Sequence, residues 1–166
     1  FLKQAEAAGV RIFYITNRKD PEKAETCSNL VQAGLPLDDC ATQVLTRNDA
    51  EGRPKEKGTR RKMVAAGHRV VLVLGDNLGD FADGIYSSLE ARAQIVDAQS
   101  SWWGERWIIL PNPMYGSWEE VLGHAPNDAA SPTYGAEQER RRLQKGRALR
   151  GVDWWANPPK MEVKSK

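Results

Sequence analysis

Apolar and polar positions alternate along this chain in blocks that predict short helices and strands in turn. Residues 1–8 have helical character and stop at Gly9, a natural helix-ending residue. Val10, Ile12, Phe13, Tyr14 and Ile15 then make residues 10–15 a strongly β-forming run, which the polar Thr16, Asn17 and Arg18 end. Residues 21–33 predict a helix with Asp20 as N-cap, Pro21 in its first turn and Gly34 at its end. Residues 41–45 predict a weak strand, and the charged stretch 48–58 a loop. Residues 59–66 predict a helix closed by Gly67. The run Val70, Val71, Leu72, Val73, Leu74 is the clearest strand, apolar enough to be a parallel strand covered on both faces, and it stops at Gly75, Asp76 and Asn77. Residues 106–110 predict one more strand before a Pro- and Gly-rich loop. Beyond it, 125–134 read as loop, 137–150 as a basic helix, and the last residues as a fraying end. Helices alternating with such strands predict an α/β fold with a doubly wound parallel sheet, because right-handed crossovers make that the simplest arrangement.

Composition narrows the class. The 166 residues suffice for one domain with a core, and 40% hydrophobic with 28% charged residues is a globular balance. Lys and Arg number 24 against 22 Asp and Glu, a net charge of +2 that gives no reason to expect a nucleic-acid partner. The basic stretch 139–150 is better read as a solvated helix face. No apolar run reaches the roughly 18 residues a membrane span needs. Two histidines and two cysteines argue against a zinc site. For Cys27 and Cys40, two buried thiols are the expected state, with a disulfide as the alternative in an oxidising compartment. The opening Phe1, Leu2 and Lys3 fall inside an expected helix. The chain therefore reads as a piece of a longer protein, without whatever targeting segment or lipid anchor that protein carries.

Ligands of open α/β sheets bind beyond the carboxyl ends of the strands. One expected strand delivers the hydroxyl of Thr16 there, and another delivers Asp76, with Asp80 four residues on. Lys57 lies just before the helix that leads into the second. A hydroxyl, an ammonium and two carboxylates at one sheet edge suit a phosphate held beside a hard divalent cation such as Mg²⁺. Taken singly, each has an ordinary reading: Thr16 as a cap, Lys57 as a solvated charge, Gly75, Asp76 and Asn77 as a turn, and Asp80 as a helix-start carboxylate. Their order along the chain favours the shared site.

In that order the residues resemble the haloacid dehalogenase superfamily. Phe13-Tyr14-Ile15-Thr16-Asn17-Arg18 is similar to its second motif, Lys57-Gly58-Thr59-Arg60-Arg61 to its lysine-bearing third, and Leu74-Gly75-Asp76-Asn77-Leu78-Gly79-Asp80-Phe81 to its acidic fourth. Within it, the class C nonspecific acid phosphatases are nearest, since Leu110 to Trp118 also looks like theirs. The resemblance covers residues 1–122 as a partial phosphatase core and leaves 123–166 as an extension. It implies an acid phosphatase acting on a small phosphomonoester. Thr16 and Lys57 would hold the phosphoryl group, Asp76 Mg²⁺ with Asp80 behind it, Asn17 the substrate, and Tyr115 the base of a nucleotide. It also implies a periplasmic, outer-membrane or secreted location, with membrane contact only through a lipid anchor. The family's first motif, Asp-x-Asp-x-Thr, carries the nucleophile and is absent here. The nearest string, Asp38-Asp39-Cys40-Ala41-Thr42, has the wrong spacing. The nucleophile is therefore expected upstream of Phe1, and this piece alone is expected to be inactive. The first rival is an inactive phosphate- or nucleotide-binding module. A dinucleotide-dependent oxidoreductase is a weaker reading still, since no GxGxxG follows any strand.

Overall fold

The computed structural model describes residues 1–112, 115–117, 135–136, 139 and 142–143. Helix α1 (Leu2–Ala7) leads into strand β1 (Tyr14–Lys19), a 3₁₀ turn (Asp20–Glu22) and helix α2 (Lys23–Gln32). A short helix α3 (Cys40–Gln43) precedes strand β2 (Val44–Arg47), and helix α4 (Gly58–Gly67) precedes strand β3 (Val73–Gly75). Helix α5 (Leu89–Ala98) and strand β4 (Trp107–Ile109) follow. The expected loop 125–134 and the tail lie outside the described residues, as does the extension 123–166 but for the few named above.

The architecture is α/β with parallel strands, as the pattern of elements predicts. β1 pairs with β2, and β3 pairs with β4, each in parallel. Among the described residues these are two separate two-stranded sheets, with no ladder joining the pairs. Helix α4 links them through side chains. Its Arg60 reaches the backbone of Thr16 on β1, and its Arg61 reaches the carbonyls of Gly79 and Asp80 just after β3.

Several boundaries differ from the expected ones. β1 begins four residues late and runs through Thr16, Asn17 and Arg18, because pairing with β2 continues past the apolar run. The register jumps between Ile15↔Leu45 and Lys19↔Arg47, so four steps on β1 oppose two on β2. That irregularity lies at Thr16, Asn17 and Arg18, and bulges of this kind re-aim side chains. The expected strand 41–45 is half helix, because Asp39 caps the turn by accepting from the Ala41 N–H at 2.9 Å. Asp20 does not cap α2. Its carboxylate accepts from Thr46 Oγ1, Asn48 Nδ2 and Arg53 Nη2 instead, tying the end of β1 to the segment after β2.

The run 70–74 departs furthest from expectation. Only its end is ladder, and Val70 and Val71 are 49% and 47% exposed rather than buried on both faces. Among the described residues β3 has a hydrogen-bonded neighbour on one edge alone. The core divides accordingly. Val44, Leu45 and Cys27 are buried around β2, and Leu78, Phe81, Ile85 and Trp107 beside β3 and β4. Phe81 meets the rings of Trp103 and Trp107 at 5.1 and 5.5 Å, and Trp102 meets Trp107 edge-on at 5.1 Å. Three of the six tryptophans thus pack this cluster. Cys27 and Cys40 form a disulfide with Cα atoms 5.9 Å apart, not two thiols, and it fastens α2 to the first residue of α3.

Candidate functional site

At the carboxyl end of β1, the bulge presents Thr16 half-buried and Asn17 exposed. The Thr16 hydroxyl accepts from the Arg18 N–H at 3.2 Å, which fixes its direction. The Asn17 side-chain oxygen accepts from Arg60 Nη2 at 2.8 Å.

Lys57 occupies the N-cap position of α4. Its ammonium donates to Asp80 Oδ1 at 2.5 Å, with the two side chains only 19% and 11% exposed. The other carboxylate oxygen of Asp80 accepts the backbone N–H groups of Asp76 and Asn77, both at 3.0 Å. Asp80 therefore closes the turn that follows β3. Gly75 is needed for this closure, since a Cβ there would collide with the Asp80 side chain. Asp76 itself is exposed, and its Oδ2 accepts from Asn112 Nδ2 at 2.6 Å. Asn112 Oδ1 in turn accepts the Tyr115 N–H at 3.4 Å, and the Tyr115 ring is 68% exposed.

Hydrogen bonds, several of them through backbone groups, and one peptide step from Glu56 to Lys57 link these residues in a path. It goes from Thr16 and Asn17 through Arg60 to the carbonyls of Pro54, Lys55 and Glu56, then to Lys57, Asp80, Asp76, Asn112 and Tyr115. All six sequence-predicted site residues lie on it. Chemically it offers a hydroxyl, an ammonium with two further N–H donors beyond its ion pair, and an exposed carboxylate braced by a second one. No group of three or more His, Cys, Asp or Glu side chains that could cage a metal exists among the described residues. The carboxylates in place are Asp76 and Asp80.

The sequence alone does not single out Arg60, Arg61, Asp83 or Asn112. Arg60 is fully buried, and that burial, with Arg53, Arg47 and Arg61 nearby, pulls its pKa down. Arg61 pairs with Asp83 at 2.7 Å. The Asp83 carboxylate lies so close to Gly58 that a Cβ there would overlap it, which packs the start of α4 against the segment after β3. Adjacent arginines at the start of a helix read as solvated charges, and only the fold shows that one of them points inward. Ser117, also unremarked, donates to Asn77 Oδ1 and accepts from Arg92 at 3.0 Å.

Comparisons with known proteins give the family. The family model for the HAD superfamily, subfamily IIIB (acid phosphatase), matches residues 1–118. The class C acid phosphatase from Bacillus anthracis is similar in structure at 35% identity and a TM-score of 0.71, over 86% of this chain and 57% of that one. The same enzyme with tungstate bound is similar at 37% identity and a TM-score of 0.73, over 86% of this chain and 56% of that one. The chain thus spans a little over half the length of these relatives. Matched by the family model over residues 1–118 and similar to these solved structures over 86% of its length, the chain belongs to the HAD superfamily, subfamily IIIB, the acid phosphatases.

Proposed function

We propose that these residues are the phosphate- and magnesium-holding part of an acid phosphatase that hydrolyses small phosphomonoesters, nucleoside monophosphates among them. The observation that carries the reading is Asp80, which pairs with the Lys57 ammonium and accepts the backbone N–H of exposed Asp76, tying the cation to the turn at a strand end. In this reading the Thr16 hydroxyl and the Lys57 ammonium hold the non-bridging oxygens, and Asn17 orients the ester. The ring of Tyr115 offers a face on which a base stacks. A doubly wound sheet belongs to the same proposal, with the two parallel pairs as its outer parts.

Mg²⁺ keeps several waters and takes only one or two carboxylates in phosphoryl-transfer sites. Exposed Asp76, with Asp80 behind it, fits that demand. When bound, the ion would neutralise charge on the phosphoryl oxygens. The attacking carboxylate is assigned to an Asp-x-Asp segment that the 166 residues do not contain. Covalent catalysis needs that group, so the chain alone should bind phosphate and turn nothing over. The Cys27–Cys40 disulfide supports an oxidising compartment, periplasmic, outer-membrane or secreted.

Two measurements on the same sample test the reading. Inorganic phosphate should bind in the presence of Mg²⁺, followed by ³¹P line broadening, while p-nitrophenyl phosphate releases no product above buffer. Product release would place the nucleophile within these residues, and absence of phosphate binding would remove the phosphate site.

A further inference from the structure

Arg60 has no exposed surface, yet among the described residues no carboxylate hydrogen-bonds to it. Its Nη1 donates to the Thr16 carbonyl. Its Nη2 serves Asn17 Oδ1 at 2.8 Å and the carbonyls of Pro54 at 2.7 Å, Lys55 at 3.2 Å and Glu56 at 3.4 Å. Its Nε–H has no hydrogen-bond partner among the described residues. A buried cation among neutral oxygens, with one donor unmatched, is a costly way to brace a fold, because apolar packing would serve better. The arrangement is explained by what the five oxygens belong to. Two come from the β1 bulge that carries Thr16, and three from the three residues immediately before Lys57. One planar guanidinium thus spans two segments 37–40 positions apart in sequence, with several donors held in a fixed fork.

We propose that Arg60 is a positioning residue of the phosphate site: it holds the Thr16 hydroxyl and the Lys57 ammonium at the separation one oxyanion requires, without touching the oxyanion. This rests on the phosphate-site reading above. The fork also adds positive charge behind the site, where a doubly negative ligand benefits from it through a medium of low dielectric. Lysine would retain the charge, but an ammonium cannot span both segments with the same geometry.

Tungstate binding to the 166-residue chain, followed by calorimetry, tests this. Arg60→Lys should weaken tungstate by about tenfold or more, since a shift of an ångström in a binding group has effects of that size. Arg60→Ala should leave a buried guanidinium-sized void, and ethylguanidinium should restore tungstate affinity saturably while urea does not. A brace with no part in ligand positioning gives unchanged tungstate affinity in folded Arg60→Lys, or stability without affinity on adding ethylguanidinium; either result overturns the proposal. The unaltered chain provides a test that needs no variant. Coupling is reciprocal, so tungstate must tighten the Arg60 bonds as they tighten tungstate. Solvent exchange of the Arg60 Nε–H, seen by NMR, should slow when tungstate saturates the site, and an unchanged rate contradicts the proposal. If the unaltered chain binds no tungstate, the phosphate-site reading falls and the Arg60 role with it. If it binds and the Arg60 variants bind equally, only the Arg60 role falls.

Discussion

The Lys57 ammonium and the Asp80 carboxylate meet at 2.5 Å across 23 positions of sequence, and the same carboxylate holds the backbone N–H groups of Asp76 and Asn77. One side chain therefore fixes both the cation that would hold phosphate and the turn that presents Asp76. Asp80→Ala should free Lys57 and open that turn together. The expected loss of stability is about 2 kcal/mol, the scale of a hydrogen bond to a charged group. Urea denaturation of the variant measures it, and an unchanged midpoint would show that the contact contributes nothing.

Gly75→Ala should reproduce part of this effect by steric means. Its new Cβ would meet both the Cβ and the carboxylate of Asp80, so the turn must shift and loosen the Asp80 contacts with Asp76, Asn77 and Lys57. Overpacking of this kind costs about 1–3 kcal/mol. Combining Gly75→Ala with Asp80→Gly, which removes the Asp80 Cβ as well as its carboxylate, should relieve the clash, so the double variant should be less destabilised than the sum of the singles. Equilibrium unfolding of the three proteins checks this, and strict additivity would contradict it.

Asp20 sets an acid limit on the fold. Hydrogen bonds from Thr46 and Asn48, with Arg53 beside them, lower its pKa from 3.8 to about 2. A carboxylate whose folded pKa is depressed stabilises above its unfolded value and loses that contribution as pH falls through the folded one. The stability difference between the native chain and Asp20→Asn should therefore be flat at neutral pH and shrink as pH drops from about 4 to about 2. Unfolding midpoints across that range test it. A difference that vanished already at pH 6 would assign the effect to another group.

The Cys27–Cys40 disulfide closes a loop of 13 positions between α2 and α3. Loops of that length are worth about 3 kcal/mol through restriction of the unfolded chain. Reduction should lower the urea midpoint by a corresponding amount, and Cys27→Ala with Cys40→Ala should remove the sensitivity to reductant. An equal response to reductant in that double variant would rule out the disulfide as its source.

Much of this molecule is legible in its sequence, and the rest fails for identifiable reasons. The helices ending at Gly9, Gly34 and Gly67 are marked by local signals, and the structure places α1, α2 and α4 where those signals point. The six site residues stand out in the sequence because ligands of α/β sheets bind beyond strand ends, and the structure links them through hydrogen bonds and the chain itself. Burial of the run 70–74 is misjudged because hydrophobicity reports what a strand can bury, not which neighbours are there to cover it. β1 slides toward Lys19 because tertiary pairing with β2 overrides the polarity of Thr16, Asn17 and Arg18. Asp20 leaves the cap position because three donors from residues 46–53 outcompete two or three local N–H groups. Arg60 is invisible in sequence, since its partners are mostly backbone carbonyls, which every residue has.

Tungstate calorimetry in Mg²⁺, comparing the 166-residue chain with Lys57→Met, tests the shared phosphate site most directly. One tungstate should bind per chain, and Lys57→Met should weaken it by about tenfold or more, as expected for loss of a charge-assisted contact. An unaltered chain that takes up no tungstate, or equal affinity in the two proteins, would contradict it.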